Sequence, residues 1–183
     1  MAKHGETRER LLRTAATLFR EQGYHATGLN QVVAEGRVPK GSLYFHFPGG
    51  KEQLAVESVT LAAGEVHAGM RAVDDLDGAL ALFAEHLVAS DFKRGCPVAT
   101  VALDAAGESE QIREACVSAY ASWQDVVVEF LVRQGVPAER APGLATTVLA
   151  AVEGALLLAR TRRDLAPLRQ VAADLRVLIE GAR

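Results

Sequence analysis

Four side chains of types that commonly contact nucleic acid lie close together in the N-terminal third of the chain. They are Lys40, Tyr44, His46 and Lys51. Lysine neutralises phosphate charge, histidine can donate a hydrogen bond to phosphate, and tyrosine can pack on a sugar or on a thymine methyl group. These residue types at this spacing indicate a surface that binds DNA.

Two short helices around a tight turn would position these side chains. Leu29, Val32 and Val33 lie one helical turn apart and predict an amphipathic helix. The segment Gly36-Arg37-Val38 predicts the turn, and Pro39 can begin a second helix, over about 39–45, without losing a needed backbone donor. A helix of two turns is not stable alone in water. The pattern therefore predicts a helix-turn-helix unit.

The residues of the second helix have separate predicted roles. Gly41 lets the backbone approach DNA closely, and Ser42 can hydrogen-bond a base edge or a phosphate. Lys40 and Lys51 are expected at helix starts, where backbone N–H groups favour phosphate. Leu43, Phe45 and Phe47 are assigned to packing, and for His46 the alternative is a solvated surface histidine. The predicted DNA contacts are Thr27, Lys40, Gly41, Ser42, Tyr44, His46 and Lys51.

The charge distribution favours the same end of the chain. The 183 residues include 20 basic and 23 acidic side chains and carry a net charge of −3, which argues against a general DNA-coating protein. Residues 1–51, however, hold eight basic and four acidic residues, whereas the rest holds twelve and nineteen. The electrostatic footprint for DNA therefore lies on an N-terminal head, and the remainder is acidic.

Composition excludes several other classes of protein. No nucleophile elbow, metal-ligand cluster or phosphate loop is present, so we expect neither an enzyme nor a bound cofactor or metal. Cys96 and Cys116 match no metal-ligand spacing. No signal peptide is evident, and the most apolar stretch, 144–159, is interrupted by Glu153 and Gly154. We expect a cytoplasmic protein without a membrane partner.

The rest of the chain is predicted to be helical. A helix over 8–22, ended by Gly23, completes a three-helix head in residues 1–50, the DNA-binding domain. Six further helices are expected in a body over residues 51–183, at about 51–70, 78–90, 97–107, 108–134, 137–163 and 165–181. The predicted fold is therefore all-α, with nine helices.

Two further surfaces are predicted in the body. Phe83, His86, Tyr120, Trp123 and Phe130 are candidates for a ligand pocket, although aromatic residues at helical spacing also fill cores. Small and apolar residues on the last two helices suggest a two-fold, four-helix dimer interface, or alternatively packing of those helices within one chain. The interface candidates are Ala151, Gly154, Ala155, Leu175 and Leu178. Glu153 is expected to be exposed, because an unpaired buried acid is costly.

These residues together resemble those of the TetR family of bacterial regulators. In the head, the resemblance is carried by Phe19, Gly23, Tyr24, Thr27, Lys40-Gly41-Ser42-Leu43-Tyr44, His46-Phe47 and Lys51. In the body, three segments are similar to the LmrA/YxaF-like branch: Phe47-Pro48-Gly49-Gly50-Lys51-Glu52, Gly95-Cys96-Pro97-Val98-Ala99 and the segment 153–160, EGALLLAR. One departure is Arg37, which stands where the family usually has the turn glycine. Either Arg37 is left-handed or the turn is shifted by one residue.

The resemblance implies a homodimeric repressor that binds a palindromic operator in double-stranded DNA. It also implies that the body binds a small, hydrophobic or aromatic effector. A DNA-binding regulator controlled by a protein partner, without a small-molecule inducer, is the alternative that the sequence leaves open. Only the presence of a ligand pocket would distinguish the ligand-controlled repressor from the regulator controlled by a protein partner.

Overall fold

The computed structural model describes residues 2–183, with side chains from Gly5 onward. All regular secondary structure in these residues is helical, which confirms the predicted all-α fold with nine helices. The helices are α1 (Ala2–Gln22), α2 (Leu29–Glu35), α3 (Ser42–His46), α4 (Gly50–Arg71), α5 (Leu76–Ala89), α6 (Pro97–Ala105), α7 (Glu110–Arg133), α8 (Ala141–Arg162) and α9 (Ala166–Glu180).

The first of two compact units comprises the residues up to Gly64 together with Pro97–Ala119. In it, α1 packs against α2, α3 and α6. The apolar face predicted for α1 supplies much of this core, since Leu11, Leu18 and Phe19 are buried. Leu43 and Phe47 are also buried, and they anchor α3 to the unit. The head is therefore a small helical core that holds α3 at its surface.

The second unit comprises Glu65–Cys96 and Tyr120–Arg183. Within it, α9 packs against α8 and α5. Ala145, Val152, Leu156 and Ala159 form a buried stripe along α8 at helical spacing. The small residues of this stripe allow the neighbouring helix to approach closely.

The division into units differs from the predicted boundary between residues 50 and 51. Helix α6 and the first part of α7 belong to the same unit as the head, and α4 begins in that unit. Sequence patterns did not reveal this, because the packing of α6 on α1 joins residues that are far apart in the chain. The chain passes between the units within α4, after Cys96 and within α7.

Helix α8 is long and apolar enough to cross a membrane by length and composition alone, in spite of Glu153 and Gly154. The interruption noted in the sequence therefore does not by itself exclude a span. In the second unit, one face of α8 is buried and packs against α9, and the other face is exposed. This is the usual arrangement of an amphipathic helix at the surface of a globular unit.

Candidate nucleic-acid interface and ligand cavity

Helix α3 has two buried and two exposed apolar positions. Leu43 and Phe47 are buried, as predicted, whereas Tyr44 and Phe45 are 64% and 71% exposed. The assignment of Phe45 to packing was therefore wrong. Since Leu43 and Phe47 lie one helical turn apart on the inner face, Phe45, midway between them, must point away from the core. A large aromatic residue exposed on this helix is a candidate for contact with DNA.

The turn before α3 contains a residue in the left-handed conformation. Arg37 has φ of +51°, whereas Gly36 has ordinary helical dihedrals. Of the two alternatives for the turn, the left-handed Arg37 is therefore the one observed. Gly36 is needed for another reason, because a Cβ atom there would lie 2.9 Å from the carbonyl oxygen of Val32. Arg37 is exposed, and no ion pair is formed by its guanidinium among the described residues.

Residues 39–42 form a turn rather than the first turn of α3. The backbone N–H of Ser42 donates to the carbonyl of Pro39 at 2.9 Å, and the helix begins at Ser42. Lys40 is therefore exposed in the turn, two residues before α3, and the prediction of a helix start at Pro39 was wrong. Gly41 is exposed, with open space around the position of a Cβ atom, and Ser42 is half-buried.

Lys51 is held against the loop between α1 and α2. Its Nζ atom lies 4.5 Å from the centre of the Tyr24 ring and donates to the carbonyl of His25 at 3.4 Å. Burial lowers the pKa of Lys51, and the nearby carboxylate of Asp104 partly opposes this effect. Lys51 lies in the first turn of α4, as predicted.

Thr27 has a structural role in the same loop. The residue is 1% exposed, and its hydroxyl donates to the carbonyl of Gly23 at 2.7 Å while accepting from Gln22 at 3.2 Å. Because this hydroxyl is buried and already bonded, we omit Thr27 from the DNA contacts proposed below. The residue holds the loop in place instead.

Helix α6 fixes the loop from the other side. The backbone N–H of His25 donates to Oδ2 of Asp104 at 2.7 Å, and the His25 ring lies 3.3 Å from the Glu108 carboxylate. Gly23 has φ of +88°, and a Cβ atom there would lie 2.9 Å from the Asp104 carboxylate. Sequence reasoning missed Asp104, since a single acid on an apolar helix gave no signal of a contact 79 residues away.

His46 ends α3 and is half-buried, with its ring 5.0 Å from that of Phe45 in an edge-to-face arrangement. Of the residues predicted to contact DNA, Lys40, Gly41 and Tyr44 are thus exposed around the start of α3. Ser42 and His46 are partly accessible. The unpredicted Phe45 joins this surface, whereas Thr27 does not.

An apolar cavity lies within the second unit, between the end of α4 and helices α5, α7 and α8. The free space between its walls is about 740 Å³, and this volume includes the open solvent at the mouth of the cavity. Three of the five predicted pocket residues, Phe83, Trp123 and Phe130, line it. His86 and Tyr120 are not among the residues that line this cavity. His86 is exposed and its Nδ1 bonds to the carbonyl of Leu82, whereas Tyr120 packs edge-on against Trp123 at 5.4 Å.

Glu153 is part of the cavity wall and is only partly exposed, contrary to the sequence expectation. Burial raises its pKa, and a hydrogen bond from the Cys96 thiol partly offsets this effect. Arg160, two helical turns further along α8, lies against Gly95, with its guanidinium 3.5 Å from where a Cβ atom would stand. The sequence placed Glu153 on the predicted helix 137–163 but did not indicate that a cavity lies beside it.

The predicted dimer residues divide between the core and the surface. Ala155 and Leu175 are buried within the chain, so their role is the packing of α8 and α9, the alternative that the sequence left open. Gly154 and Leu178 are exposed, and Ala151 is half-buried. Further large apolar side chains are exposed on the same two helices, namely Leu157, Leu158 and Val177.

Two family models match the chain. The model for bacterial regulatory proteins of the tetR family matches residues 11–57, and that for the C-terminal domain of LmrA/YxaF-like transcriptional regulators matches residues 72–174. The first covers the helix-turn-helix unit, and the second covers more than half of the chain and includes most of the cavity wall.

The chain belongs to the TetR family. Its C-terminal domain is of the LmrA/YxaF-like kind. It is 39% identical to the HTH-type regulator YxaF of Bacillus subtilis, over 98% of each protein, and 38% identical to LmrA of the same organism, over 93% of this chain and 95% of LmrA.

Solved structures of TetR-family regulators share the fold. A regulator from Chloroflexus aurantiacus superposes with a TM-score of 0.79 at 27% identity, over 98% of this chain and 97% of the other. One from Agrobacterium tumefaciens gives 0.80 at 24% identity, over 98% of each chain. The prediction of a DNA-binding transcriptional regulator, rather than an enzyme, is thereby confirmed.

Proposed function

We propose that this TetR-family protein is a homodimeric, cytoplasmic repressor that leaves a palindromic operator when a small apolar or aromatic compound binds the second unit. The main support for a ligand response is the cavity lined by Phe83, Trp123 and Phe130. A concave, mostly apolar site with few polar groups is the usual form of a small-molecule site.

The proposed DNA surface is α3 with its flanking residues. Tyr44 and Phe45 are 64% and 71% exposed, and their rings would lie against sugars, base edges or thymine methyl groups. Lys40 and Lys51 would neutralise phosphates, Gly41 would allow close approach of the backbone, and Ser42 and His46 would add hydrogen bonds. One five-residue helix contacts few base pairs, so two copies are needed for a specific site.

The proposed dimer surface is the exposed face of α8 and α9. Gly154, Leu157 and Leu158 lie on one side of α8, and Val177 and Leu178 are exposed on α9. Exposed apolar side chains on adjacent helices commonly mark a protein interface. Two copies related by a two-fold axis would form a four-helix contact and would present their α3 helices about 34–36 Å apart, or one groove repeat of DNA.

Helix α4 is the proposed route between ligand and DNA. Lys51 lies in its first turn, and Met70, near its other end, lines the cavity. Both residues therefore belong to the same helix, α4. A ligand that displaces Met70 would therefore tilt or shift the Lys51 end and spoil the spacing of the two heads. A change in DNA affinity of roughly 5- to 150-fold requires a coupling of only about 1–3 kcal/mol.

Gly154→Leu tests the assembly on which this proposal depends. A Cβ atom at Gly154 would meet no neighbour within 4 Å in the protomer, so leucine fits the monomer and clashes only in a dimer. We expect sedimentation to show a dimer that is less stable by about 1–3 kcal/mol. Binding to an operator selected from random duplexes should also be weaker. Gly64→Leu, at another exposed helical glycine with open space, is the control and should change neither. A wild-type monomer at micromolar concentration would contradict the proposal.

A further inference from the structure

The wall of the ligand cavity contains a partly buried acidic side chain, Glu153. Glu153 stands among apolar neighbours on α8, and its hydrogen-bond partner is the thiol of Cys96, which is itself 6% exposed. A thiol is a weak donor and carries no positive charge. In the part of the chain that the structure describes, no ion pair is formed by Glu153 with lysine, arginine or histidine.

The other charged residues at the cavity do not compensate Glu153. Asp75 and Arg133 are both exposed and of opposite sign. The carboxylate of Asp75 is engaged in capping α5, where it accepts from the N–H of Gly78 at 2.7 Å. The three charged residues of the wall therefore sum to one negative charge when Glu153 is ionised, and Glu153 is the less exposed of the two acids.

The aromatic residues of the same cavity favour a positive ligand as well. Trp123, Phe83 and Phe130 line it together with Glu153. Aromatic faces attract cations through their quadrupole, tryptophan most strongly, and the attraction grows when water is excluded. A carboxylate beside aromatic faces, in an otherwise apolar wall, is a combination that suits a cationic group attached to an apolar body.

We propose that the ligand of this cavity is a lipophilic cation, an aromatic compound with an amine or quaternary ammonium group that lies against Glu153. This inference rests on the proposed ligand response and adds the chemical class of the effector. A neutral ligand would leave the Glu153 carboxyl further desolvated, whereas a cation supplies the missing partner. Discrimination between a cationic and a neutral ligand therefore depends on Glu153 rather than on the apolar wall.

Two probes of the same shape test the proposal. They are (4-tert-butylbenzyl)trimethylammonium and its hydrocarbon isostere, 1-tert-butyl-4-neopentylbenzene, in which carbon replaces the charged nitrogen. Trp123, the one tryptophan in the sequence, lines the cavity, so its fluorescence reports binding of either probe. The proteins are the wild type, Glu153→Gln and the control Asp125→Asn, which removes an exposed acid on α7 away from the cavity wall.

The wild type should bind the cation at least tenfold more tightly than the hydrocarbon. Glu153→Gln should reduce cation affinity at least tenfold without weakening the hydrocarbon, and Asp125→Asn should change neither. Unchanged cation affinity in Glu153→Gln, or binding of the hydrocarbon alone, would overturn the charge preference while the cavity remained a ligand site. Failure of both probes to bind the wild type would overturn both the charge preference and the ligand cavity.

Discussion

The ammonium group of Lys51 lies 4.5 Å from the centre of the Tyr24 ring and bonds to the carbonyl of His25. The first turn of α4 is thereby tied to the loop between α1 and α2. The same loop is held by Asp104 of α6, through the backbone N–H of His25. Lys51 therefore combines a structural role within the first unit with the phosphate contact that we propose, whereas Lys40 is exposed and forms no such contact with the residues that the structure describes.

This difference predicts distinct effects of two alanine substitutions. Lys40→Ala should weaken binding to all DNA sequences and reduce the slope of log affinity against log salt by about 0.9, with little change in stability. Lys51→Ala should have the same effect on DNA and should also lower the melting temperature. Salt-dependent anisotropy titrations and thermal melts measure both, with the exposed Lys93→Ala, outside the head, as the control. An unchanged salt slope in Lys40→Ala would contradict the proposed placement of the DNA surface.

Phe45→Ala should separate specificity from stability. Because the side chain is 71% exposed, its removal should change the free energy of unfolding by less than about 0.5 kcal/mol. Affinity for the selected operator should fall by more than affinity for random duplex DNA, since a contact to base edges is lost. Leu43→Ala provides the opposite case, because Leu43 is buried and its truncation should unfold part of the head. Equal losses on the two DNAs would show that Phe45 reads no bases.

Arg37→Gly should stabilise the protein. The left-handed conformation costs a residue other than glycine roughly 1–2 kcal/mol, part of which is offset by the greater freedom of glycine in the unfolded chain. We expect a net gain of about 0.5–1 kcal/mol in urea unfolding. Arg163→Gly is the positive control, because Arg163 ends α8 in the same left-handed region, with φ of +53°, and its replacement by glycine should relieve the same strain. A loss of stability in Arg37→Gly would contradict the strain assigned to the turn.

Glu153→Gln should change how stability depends on pH. Burial raises the pKa of this carboxyl, so the folded state holds its proton more tightly than the unfolded state. The contribution of Glu153 to stability is therefore fully present below the ordinary glutamate pKa, 4.5, and is lost as the pH rises through the folded-state pKa. Because glutamine cannot ionise, the variant does not lose this stability as the pH rises. The variant should be more stable than the wild type at neutral pH, and the difference should shrink toward pH 4.

The variant retains Cys96, the hydrogen-bond partner of Glu153, and the other charged residues of the cavity wall, Asp75 and Arg133, so the difference between the two proteins isolates the carboxyl. Urea unfolding of both proteins at several pH values measures it. A constant difference across the pH range would mean that Glu153 is ionised in water rather than desolvated in the cavity wall.

Helical periodicity accounted for the fold because most helices carry a buried stripe, and a glycine directly follows α1, α2 and α9. Local patterns also gave Leu43 and Phe47 as the anchors of α3. They did not give the start of α3, where a turn from Pro39 to Ser42 replaces helix, nor the exposure of Phe45. The cavity was predicted in part, since aromatic residues at helical spacing can be core or wall. Tyr120 and Trp123 both lie on α7, and only the folded structure shows which of them reaches the cavity. Trp123 lines the cavity, whereas Tyr120 packs edge-on against Trp123.

In the proposed mechanism, a ligand in the cavity lowers the affinity for operator DNA at α3, and operator DNA lowers the affinity for the ligand. Thermodynamic linkage requires that operator DNA weaken ligand binding by the same factor by which ligand weakens operator binding. Trp123 fluorescence should therefore report a ligand affinity that is lower for operator-bound than for free protein, by roughly 5- to 150-fold. The (4-tert-butylbenzyl)trimethylammonium cation is the ligand for this titration. Equal affinity for free and operator-bound protein would contradict the account and favour control by a protein partner.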